Sequence, residues 1–150
     1  MKISEKFTVE APAHEVWAFL TDPERVAAAL PGAKIAAKVD ENTYEGGMAV
    51  NVGPLSASYA GTVTFELDEE NRSAVVRARG RGKAGMGNAG MKMRSSVAEL
   101  GPGETEVTVE ADLAVTGILA QLGRGMMQHV SRRMFREFTE AVGRELGVGS

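Results

Sequence analysis

Few side chains in this sequence could carry bond-making chemistry, and they do not form a set. The chain of 150 residues holds two histidines and no cysteine, which removes thiolate nucleophiles, disulfides and cysteine-held metals. His14 falls on a short predicted helix and His129 on the polar side of a long one, so neither reads as a general base. Glu110 and Asp112 alternate with Val109 and Ala111, as solvated strand residues do. No paired inward carboxylates, metal-ligand spacing or Ser/His/Asp set can be assembled. Tyr59 is the one polar tip expected inside, where it would either orient a ligand or satisfy a core hydrogen bond. Tyr59 with Ser95 is a thin set for a cyclase or hydrolase of an apolar substrate. The expectation is a non-catalytic protein.

The remaining candidates are apolar, and their meaning depends on the elements that position them. In the C-terminal run from Ile118 to Leu146, Leu119, Met126, Met127, Val130, Met134, Phe138 and Ala141 recur at three- and four-residue steps, the period of a helix with one apolar face. Gln121, Gln128, His129, Arg132 and Arg136 fall on the other side. Such a helix would reach about 40 Å, and a lone amphipathic helix of that length needs a sheet to cover.

The rest of the chain supplies one. Ile3, Phe7 and Val9 mark a first strand between Lys2 and Glu10. Ala11-Pro12 opens a short helix with Val16, Trp17 and Leu20 on its apolar side. Asp22 and Pro23 signal a second helix start, and Pro31-Gly32 ends it. From Ala33 the period is two, giving strands over 34–39, 44–52, 55–67, 74–81, 91–100 and up to Val115, with turns at 40–43, 53–54, 68–72, 82–90 and 101–104. The expected fold class is α+β: about seven antiparallel strands curved around one long helix, with two short helices after the first strand, in a single domain over 1–150.

The inner strand face is built from small residues: Gly46, Ala57, Gly61, Ala74, Ala78, Gly80, Ser95 and Ala111. Methionines gather around it, with Met48, Met91 and Met93 on the sheet and Met126, Met127 and Met134 on the helix. Because protein interiors pack densely, small residues mean close approach of the helix or unfilled space. One reading is an apolar cavity for a lipophilic molecule, lined by Trp17, Met48, Val50, Tyr59, Val63, Met91, Met93, Leu119, Met126, Met127, Val130 and Met134. The other is a loosely specified core filled by methionine. The glycine-rich stretch from Gly80 to Gly90 is either a lid over the mouth, with Met86 touching the ligand, or a flexible hairpin tip. Arg77, Arg79 and Arg81 share one strand parity, with Lys92 and Arg94 on the same side of the neighbouring strand and Lys83 in the loop. They form either a docking patch for anionic lipid or an acidic partner, or a solvated face.

Composition sets the frame. Apolar residues make up 43% and charged residues 25%, with a net charge of −3, so no bulk drive toward nucleic acid is expected. The opening residues lack a signal-peptide core and no run approaches a membrane span. The expected location is cytoplasmic, or peripheral on the inner face of the cell membrane.

Pro12 with Val16-Trp17, Asp22-Pro23 and the Leu30-Pro31-Gly32 stop resemble the opening of the CoxG-like family of carbon monoxide dehydrogenase proteins. Val52-Gly53-Pro54 followed by Tyr59-x-Gly61-x-Val63 is similar to their central strand pair. The Gly80–Gly90 loop and the run from Gly117 to Gly123 complete the resemblance, which covers about residues 2 to 147. It implies the START-like (SRPBCC) helix-grip fold with an apolar cavity under the C-terminal helix. It further implies a bound quinone or other lipophilic ligand, no metal, and service to a molybdenum-hydroxylase-type dehydrogenase, as an electron-acceptor carrier or as a recruitment factor at the membrane. Some relatives carry a hydrophobic C-terminal extension. This chain stops at Ser150, so membrane contact is expected to use the basic patch, the glycine-rich loop or a partner.

Overall fold

Alternating apolar and polar residues form seven strands in one antiparallel sheet, as seen in a computed structural model that describes residues 1–146. The strands are β1 (Lys2–Val9), β2 (Ala33–Asp40), β3 (Thr43–Val52), β4 (Leu55–Asp68), β5 (Ser73–Gly82), β6 (Asn88–Gly101) and β7 (Glu104–Val115). From β2 to β7 the chain runs as a meander of hairpins, and β1 pairs with β7, giving the order β1-β7-β6-β5-β4-β3-β2. The long connection from β1 to β2 carries the two short helices, α1 (Ala13–Leu20) and α2 (Pro23–Ala29). Asp22 caps α2, its Oδ1 accepting from the backbone N–H groups of Glu24 and Arg25, and Pro23 takes the first turn, where its missing donor costs nothing.

The long helix α3 spans Gly123–Glu145, 23 residues and about 35 Å. It starts later than its apolar period suggests. Ile118 to Leu122 instead form an irregular link with a short 3-10 turn at Ala120–Leu122, and Gly117 and Gly123 take positive φ values of 77° and 84° to reverse the chain on either side of it.

Apolar residues pack at the two ends of the space between sheet and helix. One cluster joins Phe7, Val9, Val97 and Val107 of the sheet with Val16, Trp17 and Phe19 of α1 and with Phe138 and Val142 of α3. Phe19 is fully buried while Leu20 is half-buried, the reverse of the helix face that the sequence suggests. The short helix is enclosed on more than one side, so a single apolar stripe does not describe it. Thr105, also fully buried, donates its hydroxyl hydrogen to the Ala11 carbonyl oxygen at 2.7 Å and ties β7 to the start of α1. The second cluster holds Ala57, Tyr59, Leu119 and Met127, with Leu55, Met86, Leu113, Val115 and Leu122 packed around them. It lies at the end of the sheet formed by the β3–β4 and β5–β6 turns and the β7–α3 link.

Candidate functional site

Between these two ends the strand register sets the inner face out in rows. Met48 pairs with Tyr59, and Tyr59 with Gly82. The next row is Gly46, Gly61, Gly80 and Ala89, which crosses four strands with almost no side chain. Beyond it run Tyr44, Val63, Ala78, Met91 and Leu113, then Phe65, Val76, Met93 and Ala111. The bare row has a backbone cause, since a Cβ on Gly61 would overlap the Arg79 carbonyl and stand 2.8 Å from the Cα of Gly80.

Met48, Val50, Val63, Ala78, Met91, Met93 and Ala111 are all half-buried, as is Met134 on the facing helix. None belongs to either packed cluster. Val107 and Val142, at the closed end, are 0% exposed. The middle of the interior is therefore lined by apolar side chains that no packed cluster absorbs. Val130 of α3 faces the same region and is buried.

Tyr59 borders this region at the β5–β6 end. Cβ atoms at Gly80 and Gly82 would stand 3.2 Å from its Cβ and 3.1 Å from its Cε1, so glycine at both positions is what lets the ring lie across β5. Burial pushes the phenol above its usual 10.0. Its hydroxyl is the only buried side-chain polar atom without a hydrogen-bond partner among the described residues.

Two of the sequence-derived lining residues stand elsewhere. Trp17 is part of the closed-end cluster, and its Nε1 donates to Glu69 Oε2 at 2.6 Å, which pins α1 to the β4–β5 turn. Met126 is 42% exposed, because it falls about 100° around the helix from Met127 and away from the stripe that meets the sheet. The structure brings Tyr59, Leu119, Met127 and Met86 together in one cluster.

The glycine-rich stretch is mostly strand rather than loop. Gly80 pairs with Ala89 and Arg79 with Gly90, which leaves Lys83 to Gly87 as the connection. That tip is fastened: Ile118 N–H donates to the Met86 carbonyl at 3.2 Å, and Asn88 exchanges backbone and side-chain hydrogen bonds with Thr116 at 2.9 Å. Met86 sits against the second cluster as part of this clasp. Arg133 of α3 donates to the Asn51 carbonyl oxygen at 3.0 Å, linking the helix to the end of β3.

The basic residues lie on the opposite, convex face, and all six are exposed. Arg77 is paired with Glu66 at 2.6 Å. Lys92 and Arg94 stand beside Asp112 and Glu110 in the register. Arg79 and Arg81 neighbour only Thr62, Gly90, Ala60 and Asn88, and with Lys83 they form no ion pair among the described residues. The uncompensated positive charge is thus concentrated toward the β5–β6 tip.

Catalytic or metal chemistry finds little support. No group of three or more His, Cys, Asp or Glu side chains that could hold a metal occurs among the described residues, and His14 and His129 are exposed on their helices. Asp40 and Asp68 have lowered pKa values because they accept hydrogen bonds, first from the Asn42 backbone and the Asn71 side chain respectively, in exposed turns. A surface depression of about 740 Å³ between β1 and the end of α3 is lined by Thr8, Glu10, Glu104, Thr139, Glu140, Gly143 and Arg144, and contains none of the inner-face residues. No helix among the described residues is long and apolar enough to cross a membrane.

The architecture matches solved structures closely in shape and weakly in sequence. A conserved protein from Geobacillus kaustophilus superposes with a TM-score of 0.87 at 17% identity, over 97% of this chain and 95% of that one. The ZhuI aromatase/cyclase from Streptomyces sp. R1128 gives 0.72 at 18% identity, over 97% and 93% of the two chains. A START superfamily protein from Mycobacterium smegmatis gives 0.67 at 15% identity, over 97% and 96%. These likenesses establish the START-like, helix-grip fold. No curated protein sequence matches the chain. Residues 6–147 match the model of the carbon monoxide dehydrogenase CoxG family, and the chain belongs to that family.

Proposed function

We propose that the protein binds a lipophilic small molecule, a quinone, between the sheet and α3, and that it serves a membrane-linked dehydrogenase of the carbon monoxide dehydrogenase type as an electron-acceptor carrier. The observation that carries this reading is the half-buried apolar lining that neither packed cluster absorbs: Met48, Val63, Met91 and Met93 below, Met134 above. Apolar area left open inside a fold is unfavourable, at about 25 cal/mol per Å². A lipophile that covers it recovers that free energy without a charged contact, and unbranched thioethers adapt to its shape. The family description supports the choice of dehydrogenase. The test is uptake of a quinone from neutral vesicles, read as protein-bound quinone after gel filtration. Saturable, near-stoichiometric loading is expected, and absence of loading would contradict the reading.

A second reading is favoured by the charge distribution. The protein would act as a recruitment factor that docks the dehydrogenase at the membrane, using the unpaired Arg79, Arg81 and Lys83 around the β5–β6 tip. Pull-down of the dehydrogenase by wild-type protein and by the triple glutamate variant tests it. Equal recovery would remove this surface from consideration. The aromatase/cyclase likeness supports only the fold, and Tyr59 with Ser95 remains a thin set for catalysis.

A further inference from the structure

The Tyr59 hydroxyl carries an inference that rests on the lipophile-binding reading and refines it. The side chain is 7% exposed, and its hydroxyl stands alone among the buried polar side-chain atoms of the described residues in lacking a partner. Buried hydroxyls are hydrogen-bonded as a rule, because leaving water without a new partner is unfavourable. A trapped water needs two or more polar partners. Around Tyr59 the clustered side chains are Ala57, Leu119 and Met127, with Leu55, Met86, Leu113 and Val115 beside them, all apolar. The unmet bond therefore calls for a group that the chain does not supply.

The chemistry of that group follows from the state of the phenol. Burial holds the hydroxyl neutral up to and beyond pH 10.0, so it is present as a donor under physiological conditions. The ring lies against the backbone of Gly80 and Gly82 on one side, which limits its retreat toward β5. We propose that Tyr59 donates a hydrogen bond to a carbonyl oxygen of the bound lipophile. This contact fixes the polar head beside the Lys83–Gly87 tip and leaves the apolar remainder to run toward Met93 and Met134. The site then discriminates between carbonyl-bearing lipophiles and hydrocarbons of the same shape, since the latter leave the phenol unpaired.

The experiment compares a naphthoquinone with naphthalene on wild-type protein and on Tyr59→Phe. Wild type is expected to prefer the quinone, and Tyr59→Phe to lose about tenfold in quinone affinity with naphthalene binding unchanged. In infrared difference spectra the carbonyl stretch of the quinone should move to lower frequency on wild type, relative to the free compound. Wild type that takes up both compounds equally, or an unshifted carbonyl band, overturns the Tyr59 inference while the lipophile reading stands. Uptake of neither compound by wild type overturns both. The infrared comparison needs only wild-type protein, so the inference stays testable even if the variant folds poorly.

Discussion

Gly87 and Gly117 lie back to back, so close that a Cβ built on either would stand 2.8 Å from the Cα of the other. Their φ values of 94° and 77° belong to the left-handed region. This contact clasps the β5–β6 tip to the segment that leads into α3, next to the cluster that holds Tyr59, Leu119 and Met127.

Alanine at either position should open the clasp. Gly87→Ala would overlap the Thr116 carbonyl and Gly117→Ala the Met86 carbonyl, and each also meets a disfavoured φ. Each is expected to cost about 2 kcal/mol or more, read by urea denaturation, with faster amide exchange at Ile118. A loss within about 0.5 kcal/mol of zero, the range of an ordinary surface substitution, would show that the clasp yields easily.

Within the same tip, neighbouring residues should respond in opposite directions. Ala84 holds φ 52° without being glycine, and Gly85 holds φ 77° with nothing within 4 Å of a built Cβ. Ala84→Gly should stabilise by up to about 1 kcal/mol, and Gly85→Ala should destabilise by a similar amount through strain alone. Thermal denaturation of the two variants checks the signs.

Thr105→Val tests the joint between β7 and α1. The substitution leaves the Ala11 carbonyl without its 2.7 Å donor in a fully buried position. A loss of about 1–3 kcal/mol is expected. A neutral result would mean that another donor reaches Ala11.

Much of this fold was legible in the sequence because the signals were local. Period-two alternation located all seven strands, and Asp22 with Pro23 placed the start of α2. What escaped depended on pairing and enclosure. Glycines from Gly80 to Gly90 suggest a long loop, yet cross-strand partners Ala89 and Gly90 carry the sheet through most of it. Met126 fits a three-and-four spacing but begins the helix, where the sheet does not cover it. Trp17 is apolar enough to line a pocket, and only the three-dimensional position of Glu69 shows that its indole closes the far end. The buried hydroxyl of Thr105 gave no sequence signal, since its acceptor is a backbone carbonyl 94 residues away.

Tyr59 should also leave a mark on the pH dependence of stability. Its phenol is raised above 10.0 by burial, so the folded state binds that proton more tightly than the unfolded chain. The associated stability is complete below about pH 10 and is lost as pH rises through the folded value. Tyr59→Phe should flatten the alkaline limb of the stability profile. An unchanged slope in that alkaline range would assign the limb to other groups.

Filling the interior should separate binding from folding, provided the position allows it. Gly61 does not, because any Cβ there overlaps the neighbouring strand. Ala78 and Ala111 are half-buried on the inner face beside Met91 and Met93. Ala78→Phe is expected to keep the fold within about 1–3 kcal/mol and to abolish quinone loading. A folded Ala78→Phe protein that loads as wild type does would place the ligand elsewhere.

The most direct measurement is the content of the protein as its native host makes it. Purification under mild conditions, solvent extraction and mass spectrometry of the extract should release a carbonyl-bearing lipophile, a quinone, at near one molecule per chain. An extract with no such molecule, from protein that also fails to take up added quinone, would contradict the account and leave the inner methionines as core filling.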